Sequence, residues 1–189
     1  MTAAAATRPP LAAGEYALDP SHTHVGFLAR HLVVTKVRGT FEKVEARITV
    51  GEDLASSSLE VAIDVASLTS RDEKRDTHLR SADFFDVEKY PTMTFRSTAL
   101  EAGAGGHFAV TGDLTIRDQT HPLTLDVEYL GEQKTPWGST VSVVSASAEI
   151  DREQWGLTWN VALESGGVLV SKKIVLEIEA EIIPAPAAA

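Results

Sequence analysis

Two histidines near the start of the chain are the first residues that could do chemistry. His22 and His24 lie two residues apart, so on a β-strand both side chains point to one face and could bind the same Zn²⁺. His31 has the opposite parity to His24, so on a regular strand it would not supply a third ligand. In a competing interpretation, His22 caps the turn at Asp19-Pro20 and His24 bonds a neighbouring backbone group. Because a metal site requires three or four converging ligands, we expect no metal ion and no cofactor.

Carboxylates are numerous, but their pattern does not indicate a catalytic pair. The chain has 27 Asp and Glu residues against 17 Lys and Arg residues. The carboxylates around residue 75 alternate with arginines, a spacing that favours ion pairs holding a helix in place. The sequence has no Gly-x-Ser-x-Gly elbow, no phosphate-binding loop and no Rossmann glycine pattern. We therefore predict no catalytic residues.

Composition excludes several classes of protein. The net charge of -10 argues against a nucleic-acid partner and against binding to an anionic membrane surface. The absence of cysteine excludes disulfides, thiolate metal sites and cysteine nucleophiles. No secretory leader and no stretch of 18 apolar residues is present, so we expect a cytoplasmic location. The length of 189 residues fits one domain, residues 14–183, between disordered tails at 1–13 and 184–189.

Alternating apolar and polar residues predict an all-β chain. The last alternation is the clearest, with apolar residues at 174, 176, 178, 180 and 182 facing glutamates at 177, 179 and 181. Two strands change phase, one between Phe41 and Val44 and one between Val143 and Val144, which predicts β-bulges. Short turns link most strands, so we predict an antiparallel, lipocalin-like β-barrel of about eight strands.

The predicted inner face is too sparse to fill such a barrel with its own side chains. Small residues interrupt the inward rows, at Ser97, Ala99, Gly112, Ala146 and Ala148. A barrel of about eight strands is just wide enough to hold one small ligand. We therefore predict an apolar pore along the barrel axis.

The segment from 71 to 91 is the only long run that does not read as strand or turn. Its first half is charged and lacks Gly and Pro, which predicts a helix capped by Thr69 or Ser70. Phe84 and Phe85 follow in an otherwise polar stretch, so the unit resembles a lid over one end of the barrel. In the alternative interpretation the two phenylalanines simply fill the end of a core.

Four blocks of sequence go beyond composition. The most specific is Arg75-Asp76-x-His78-Leu79-Arg80-Ser81-x-Asp83-Phe84-Phe85-Asp86-Val87-x-x-Tyr90-Pro91-Thr92-Met93-x-Phe95. A second includes Leu18-Asp19-Pro20-Ser21-His22-Thr23 and is followed by His31 and Val37-Arg38-Gly39-Thr40-Phe41. The others are Val110-Thr111-Gly112-Asp113-Leu114-Thr115-Ile116 with Thr120-His121-Pro122-Leu123, and Asp151-Arg152-x-x-Trp155-Gly156-Leu157. Together, over about residues 16–183, they resemble the YceI family.

The resemblance implies a lipocalin-like barrel whose long pore holds a polyisoprenoid or a similar amphiphile. It implies no established catalytic residue, and it makes a homodimer an expectation. Many members of the family look periplasmic, so a member without a leader would serve a different lipid.

Candidate ligand-binding residues follow from both lines of reasoning. We predict a pore lined by apolar side chains, namely Phe27, Phe41, Leu79, Phe84, Phe85, Phe95, Leu114 and Ile116. Arg75, His78 and Arg80 could hold a head group at the mouth, or they could form ion pairs within the helical unit. Trp155 and Trp159 could close a pocket or belong to an ordinary core, and His31 completes the candidate set.

The leading functional hypothesis is a protein that binds and carries or stores a long-chain apolar lipid, most specifically a prenyl quinone or prenyl phosphate. The alternative is a metal-dependent or hydrolytic enzyme acting on a small lipid-like substrate, with His22 and His24 as metal ligands. A third hypothesis is a structural or interaction module whose pore is incidental.

Overall fold

The computed structural model describes residues 8–32, 34–164 and 166–186, which form eleven strands and one α-helix. In chain order the elements are β1 Gly14–Leu18, β2 His24–His31, β3 Thr35–Phe41, β4 Val44–Val50, β5 Ser58–Asp64, β6 Leu68–Thr69, α1 Glu73–Arg80, β7 Thr92–Ala102, β8 His107–Ile116, β9 Gln119–Lys134, β10 Thr140–Asp151 and β11 Lys173–Pro184. Short 3₁₀ turns at Leu54–Ser56, Val65–Ser67 and Arg152–Trp155 join some of them.

Eight strands close into a barrel. The ring runs β1-β4-β5-β7-β8-β9-β10-β11 and closes where β11 pairs with β1, with Leu18 opposite Ile182. Farther along β11, Ile178 lies opposite Val25 of β2, and β3 and β6 extend the sheet from there. All pairings are antiparallel. The prediction of an antiparallel barrel of about eight strands with one helical segment is confirmed.

The β-bulge predicted at Val143 and Val144 is confirmed, whereas the bulge predicted within one strand between Phe41 and Val44 is instead a break between two strands. The chain leaves the sheet between Phe41 and Val44, so β3 and β4 are separate strands whose apolar residues both face the core. The pairing of β9 with β10 shifts register at Val143 and Val144, opposite the step from Tyr129 to Gly131. Such irregularities bend strands, which is how a sheet of this size curves into closure.

A third shift was not predicted. The β7–β8 pairing changes register between Ser97 and Ala99, which turns Ala99 outward and Leu100 toward the core. The expectation that Ala99 faces inward is therefore wrong. Ser97 does point inward, but its hydroxyl accepts a hydrogen bond of 2.8 Å from the amide of Leu59.

The helix begins two or three residues later than predicted. Asp72 is the N-cap and accepts a hydrogen bond of 3.0 Å from the amide of Arg75, so the expected cap at Thr69 or Ser70 is wrong. Ser70 is buried and instead donates its amide to Asp76 at 2.9 Å. The helix is thereby held to the strand that precedes it.

The predicted tails lie partly outside the described residues, at 1–7 and 187–189. At the C-terminal end β11 continues through Pro184, and the amide of Ala185 donates to the carbonyl of Glu15 at 2.9 Å. At the N-terminal end Pro9 is buried. In the described part of the chain, every helix is too short or too polar to cross a bilayer.

Candidate functional site

An apolar cavity of about 280 Å³ lies inside the ring. All eight strands of the ring contribute side chains to its wall, because each strand places every second residue inward. The central wall is built by Val61, Phe95, Val110, Leu125, Ala146 and Ile178. A volume of this size has room for at least about nine methylene-sized groups, if each takes roughly the 30 Å³ that a water molecule has in the liquid.

Among the residues that the structure describes, no charged side chain lines the cavity. The polar side chains among its lining residues are the hydroxyls of Thr49, Ser57, Ser58 and Tyr129. An ion inside such a cavity would lose its hydration without gaining a partner, which is strongly unfavourable. The lining therefore suits an apolar chain and lacks a carboxylate, imidazole or amine for acid–base or nucleophilic catalysis.

One end of the cavity is covered by the segment that precedes β1. Pro9, Pro10 and Leu11 line the cavity at this end, together with Leu54 of the β4–β5 connection and Ser58 at the start of β5. Pro9 is buried, whereas Pro10 and Ser58 are exposed. We call residues 9–11 the roof and the opening beside them the mouth. The hydroxyl of Tyr16 donates to the carbonyl of Ala12 at 2.9 Å, which ties the roof to β1.

The opposite end is closed by packed side chains. Trp155 is 1% exposed, and its indole nitrogen donates to the carbonyl of Leu114 at 2.9 Å. Val65 and Leu68 are equally buried in the same cluster. We call this end, which also carries α1, the closed end. The helical unit therefore forms a packed plug, whereas the exposed lining residues Pro10 and Ser58 lie at the other end of the barrel.

Four of the predicted ligand-binding residues line the cavity. They are Phe41, Phe95, Leu114 and Ile116, all of which are buried. Each lies on a strand of the sheet, where alternation alone predicts the inward direction. Their positions agree with a ligand contact, which stays a prediction.

Other predicted pore residues pack outside the cavity. Phe27 and Phe85 pack against the ring of Phe41, with distances between ring centroids of 5.9 Å and 6.0 Å. Leu79 joins the same core, and Trp155 belongs to the closed end. His31 lies at the end of β2 and bridges to Val170. The structure places none of these five side chains in the cavity wall.

His78, Phe84 and Trp159 form an aromatic group on the outside of the closed end. The ring centroid of His78 lies 5.2 Å from that of Phe84 and 4.5 Å from that of Trp159. His78 also pairs with Asp83 at 2.8 Å. Phe84 is buried here, so the group stabilises the plug rather than holding a ligand in the cavity.

Arg75 and Arg80 of the helical unit donate hydrogen bonds mainly to backbone carbonyl groups. Arg75 donates from Nε to the hydroxyl of Ser70 at 2.7 Å and from Nη2 to its carbonyl at 2.8 Å. Arg80 donates to the carbonyls of Ala66 and Leu68. Neither lines the cavity. A head group at the mouth would therefore not meet these two side chains.

Two buried charged side chains at the closed end have structural roles that the sequence did not indicate. Burial alone would raise the pKa of Asp76, but hydrogen bonds from the hydroxyl and amide of Ser70 together hold that pKa below its usual value. Burial lowers the pKa of Arg152, whose guanidinium donates to the carbonyls of Ser171 and Leu157. Both groups tie loops to the plug.

The two histidines that opened the sequence analysis do not converge on a common point. His22 Nδ1 lies 3.0 Å from Asp19 and 3.4 Å from Glu181. His24 instead lies 3.4 Å from the hydroxyl of Thr40. The ligand atoms of Asp19, His22 and Glu181 lie within 4.8 Å of one another at the surface. The hydrogen bond that His22 donates to Asp19 and the negative charge of Glu181 raise the pKa of His22.

Comparison with known proteins decides the family. Residues 16–182 match the YceI-like domain. The chain belongs to the YceI-like family. A UPF0312 protein of Staphylococcus epidermidis is 37% identical over 169 residues, covering 88% of this chain and 96% of the relative. A UPF0312 protein of Staphylococcus aureus is 34% identical over 168 residues, covering 88% and 95%.

Solved structures of YceI-like proteins share the barrel. The Campylobacter jejuni YceI protein superposes with a TM-score of 0.70 at 30% identity, covering 83% of this chain and 90% of that one. BcnA of Burkholderia cenocepacia gives a TM-score of 0.74 at 21% identity, covering 87% and 98%. A polyisoprenoid binding domain from Saccharophagus degradans gives 0.64 at 14% identity, covering 90% and 98%. At these identities the last two likenesses show the fold alone.

The YceI-like barrel contains site residues that the sequence analysis did not single out. The roof at Pro9–Leu11 lies in an Ala- and Pro-rich segment without periodicity, so no pattern in the sequence indicates it. The lining residues Leu123, Leu125 and Ile178 were visible as inward residues of their strands. Barrel periodicity was sufficient to find them, but nothing distinguished them from an ordinary core.

Proposed function

We propose that this YceI-like protein binds a long-chain apolar lipid, most specifically a polyisoprenoid, inside the barrel, and carries or stores it there. The proposal rests on one observation, the closed ring around an uncharged apolar cavity of about 280 Å³. The family supports it as well, since one structural neighbour is described as a polyisoprenoid binding domain. The proposed contacts include Phe41, Phe95, Leu114 and Ile116, the predicted residues that line the wall.

The energetics of such a site favour chain length over head-group recognition. Burying one CH₂ contributes about 0.8 kcal/mol, which corresponds to about a fourfold gain in affinity for each enclosed methylene. The ordering of a flexible chain offsets part of this gain. A site without charged groups can therefore bind a prenyl chain tightly while making few polar contacts.

The lining also restricts the head group. Hydroxyls of Thr49, Ser57 and Ser58 are the polar side chains near the mouth, and within residues 8–32, 34–164 and 166–186 no cationic side chain lines the cavity. A neutral head group such as a quinone or an alcohol could accept hydrogen bonds there. A prenyl phosphate would have to leave its charge in water outside the mouth. We therefore favour the neutral ligands over the prenyl phosphates.

A ligand series tests the proposal directly. Prenyl alcohols of one to four isoprene units would compete with a fluorescent apolar probe for the purified protein. We expect affinity to rise steeply with each unit until the enclosed volume is filled, and to change little when the alcohol is replaced by a quinone. Affinity that is independent of chain length, or no displacement by any member, would contradict the proposal.

The enzyme alternative has a separate test. Metal analysis of the purified chain and of His22→Ala would find a stoichiometric transition metal, lost in the variant, if the surface group of Asp19, His22 and Glu181 served a reaction.

The homodimer and the cytoplasmic location also stay predictions. Analytical sedimentation would test the homodimer, and cell fractionation would test the location.

A further inference from the structure

The β9–β10 hairpin carries an exposed tryptophan beyond the mouth of the cavity. Trp137 lies in the turn between Lys134 and Thr140, and 86% of its surface is exposed. Leu130, on β9 below the turn, is 53% exposed. Tryptophan has an apolar ring and a polar N–H group, so it is enriched where a protein surface meets an apolar or interfacial partner.

The hairpin projects past the rest of that end of the barrel. The amide of Tyr129, a lining residue, donates to the carbonyl of Gly106 in the β7–β8 turn at 2.9 Å, which marks the level of the neighbouring turn. From there β9 continues through Lys134, paired only with β10. At about 3.3 Å per residue, the hairpin tip stands roughly 15 Å beyond the β7–β8 turn.

The turn itself is ordered by its own hydrogen bonds. The amide of Thr135 donates to the carbonyl of Ser139 at 2.8 Å, and the amide of Gly138 donates to the carbonyl of Thr135 at 3.0 Å. The hydroxyls of Thr135 and Ser139 lie 2.6 Å apart. Trp137 is thus presented by a defined turn, which limits the entropy lost when it enters a partner.

The charge of the hairpin tip indicates which kind of membrane it would contact. From residue 130 to residue 140 the charged side chains are Glu132 and Lys134, so the hairpin tip is neutral although the chain carries a net charge of -10. A neutral tip with an exposed Trp and Leu fits the interface of a zwitterionic bilayer, where tryptophan is enriched. An anionic bilayer would instead repel the rest of the chain.

We propose that the mouth end of the barrel docks on a lipid membrane, with Trp137 and Leu130 entering the interface, so that the ligand passes directly between bilayer and cavity. This inference rests on the proposed lipid binding. Because a long apolar lipid is poorly soluble in water, it would have to pass between the membrane and the cavity while the mouth is in contact with the bilayer. The exposed Pro10 and the half-buried Leu11 of the roof lie at the same end and continue the apolar surface from the cavity outward.

The chain contains a matched control at the closed end. Val34 lies before β3 and is 78% exposed, nearly as much as Trp137, but it adjoins the end that the plug closes. Trp137→Ser and Val34→Ser therefore each remove one exposed apolar side chain, at opposite ends of the barrel. Neither residue contributes to the core, so both variants should fold as the parent does.

The test is flotation of the full chain with phosphatidylcholine vesicles. We expect Trp137→Ser to weaken vesicle binding by about tenfold, the loss that corresponds to one buried aromatic side chain, and Val34→Ser to leave it unchanged. Added phosphatidylglycerol should not increase binding. Absence of flotation, equal flotation of Trp137→Ser and parent, or a loss in Val34→Ser alone would overturn the docking proposal.

A second readout separates docking from ligand binding. Uptake of a fluorescent prenyl probe from vesicles should slow by about tenfold in Trp137→Ser, while the amount bound at equilibrium stays the same. If flotation depends on Trp137 but no probe enters any variant, the lipid-binding function fails and the docking surface stands. If instead the substitution changes the sedimentation of the protein without changing flotation, the hairpin contacts a second copy, and membrane docking is overturned.

Discussion

The ring of Phe95 occupies the space that a side chain would take at Gly112 on the neighbouring strand. A Cβ added at Gly112 would lie 2.5 Å from Cζ of Phe95 and 2.5 Å from the carbonyl oxygen of Arg96. Gly112 is among the small residues that were predicted to leave volume unfilled, and that interpretation is wrong at this position. The cavity arises from other small residues, among them Ala146 and Ala180, while Phe95 forms part of its wall.

Gly112→Ala should therefore destabilise the barrel. Because one of the clashing atoms belongs to the backbone, the strand pair must shift as well as the ring, and we expect a loss of about 1–3 kcal/mol in the free energy of unfolding. Urea denaturation measures the loss. Gly14→Ala is the control, since a Cβ there would lie 3.6 Å from the Tyr16 ring, an ordinary contact. Equal stability of the two variants would contradict the packing of Phe95 on Gly112.

Filling the cavity should abolish ligand binding without unfolding the protein. Ala146 lines the wall, whereas the next residue on β10, Ser147, is exposed on the outer face. Ala146→Phe introduces a ring into the space that an apolar chain would use, so we expect affinity for a prenyl probe to fall by at least about tenfold. Stability should change little, because the ring enters an existing void.

Ser147→Phe adds the same side chain to the outside of the same strand. It should bind the probe as the parent does in a fluorescence titration. A loss of binding in both variants, or in neither, would show that the probe binds elsewhere.

The roof should control the rate at which ligand leaves. Leu11 is half-buried at the mouth, and Leu11→Asp would place a charge against an apolar lining. We expect the roof to detach and the dissociation rate of a bound probe to rise by about tenfold, as follows from losing part of the burial of one leucine. Stopped-flow displacement measures this rate. Ala13→Asp, at an exposed position two residues away, should leave it unchanged.

The surface group around His22 should make stability depend on pH. The hydrogen bond that His22 donates to Asp19 and the charge of Glu181 raise the pKa of His22 above its ordinary value of 6.5. The folded state therefore holds the proton more tightly than the unfolded state. The stabilisation is complete below about pH 6.5 and is lost as pH rises through the raised pKa.

Urea denaturation of the parent and His22→Gln at several pH values tests this sign. We expect the difference in unfolding free energy to be larger at pH 6 than at pH 9. In an Asp19→Asn background the pH dependence should shrink, because the hydrogen bond that His22 donates to Asp19 is the largest cause of the pKa shift. A difference that grows with pH would contradict the ion pairing.

The strand pattern was readable from the sequence wherever side chains differ strongly between the two faces. On β11 apolar residues and glutamates alternate, so a shift of the register by one residue would turn the glutamates into the core. The phase changes after Phe41 and after Val143 were visible for the same reason. The shift between Ser97 and Ala99 was not, since both residues are small enough for either face.

The site could be predicted only in part, because an apolar side chain meets the same physical requirement in a cavity wall as in a packed core. Phe95 and Phe84 are both buried, yet one lines the cavity and the other packs in the plug. The mouth depends on where the chain before β1 crosses the barrel, and the roof at Pro9–Leu11 has no repeating pattern that would indicate it.

Organic extraction of the purified chain, followed by mass spectrometry, tests most directly whether the barrel holds a lipid. The parent and Ala146→Phe would be purified in the same way without detergent and extracted side by side. We predict about one long apolar molecule per parent chain and a clear loss of that molecule in Ala146→Phe. An extract of the parent that contains only buffer components, or equal amounts of lipid from both proteins, would contradict lipid binding in the cavity.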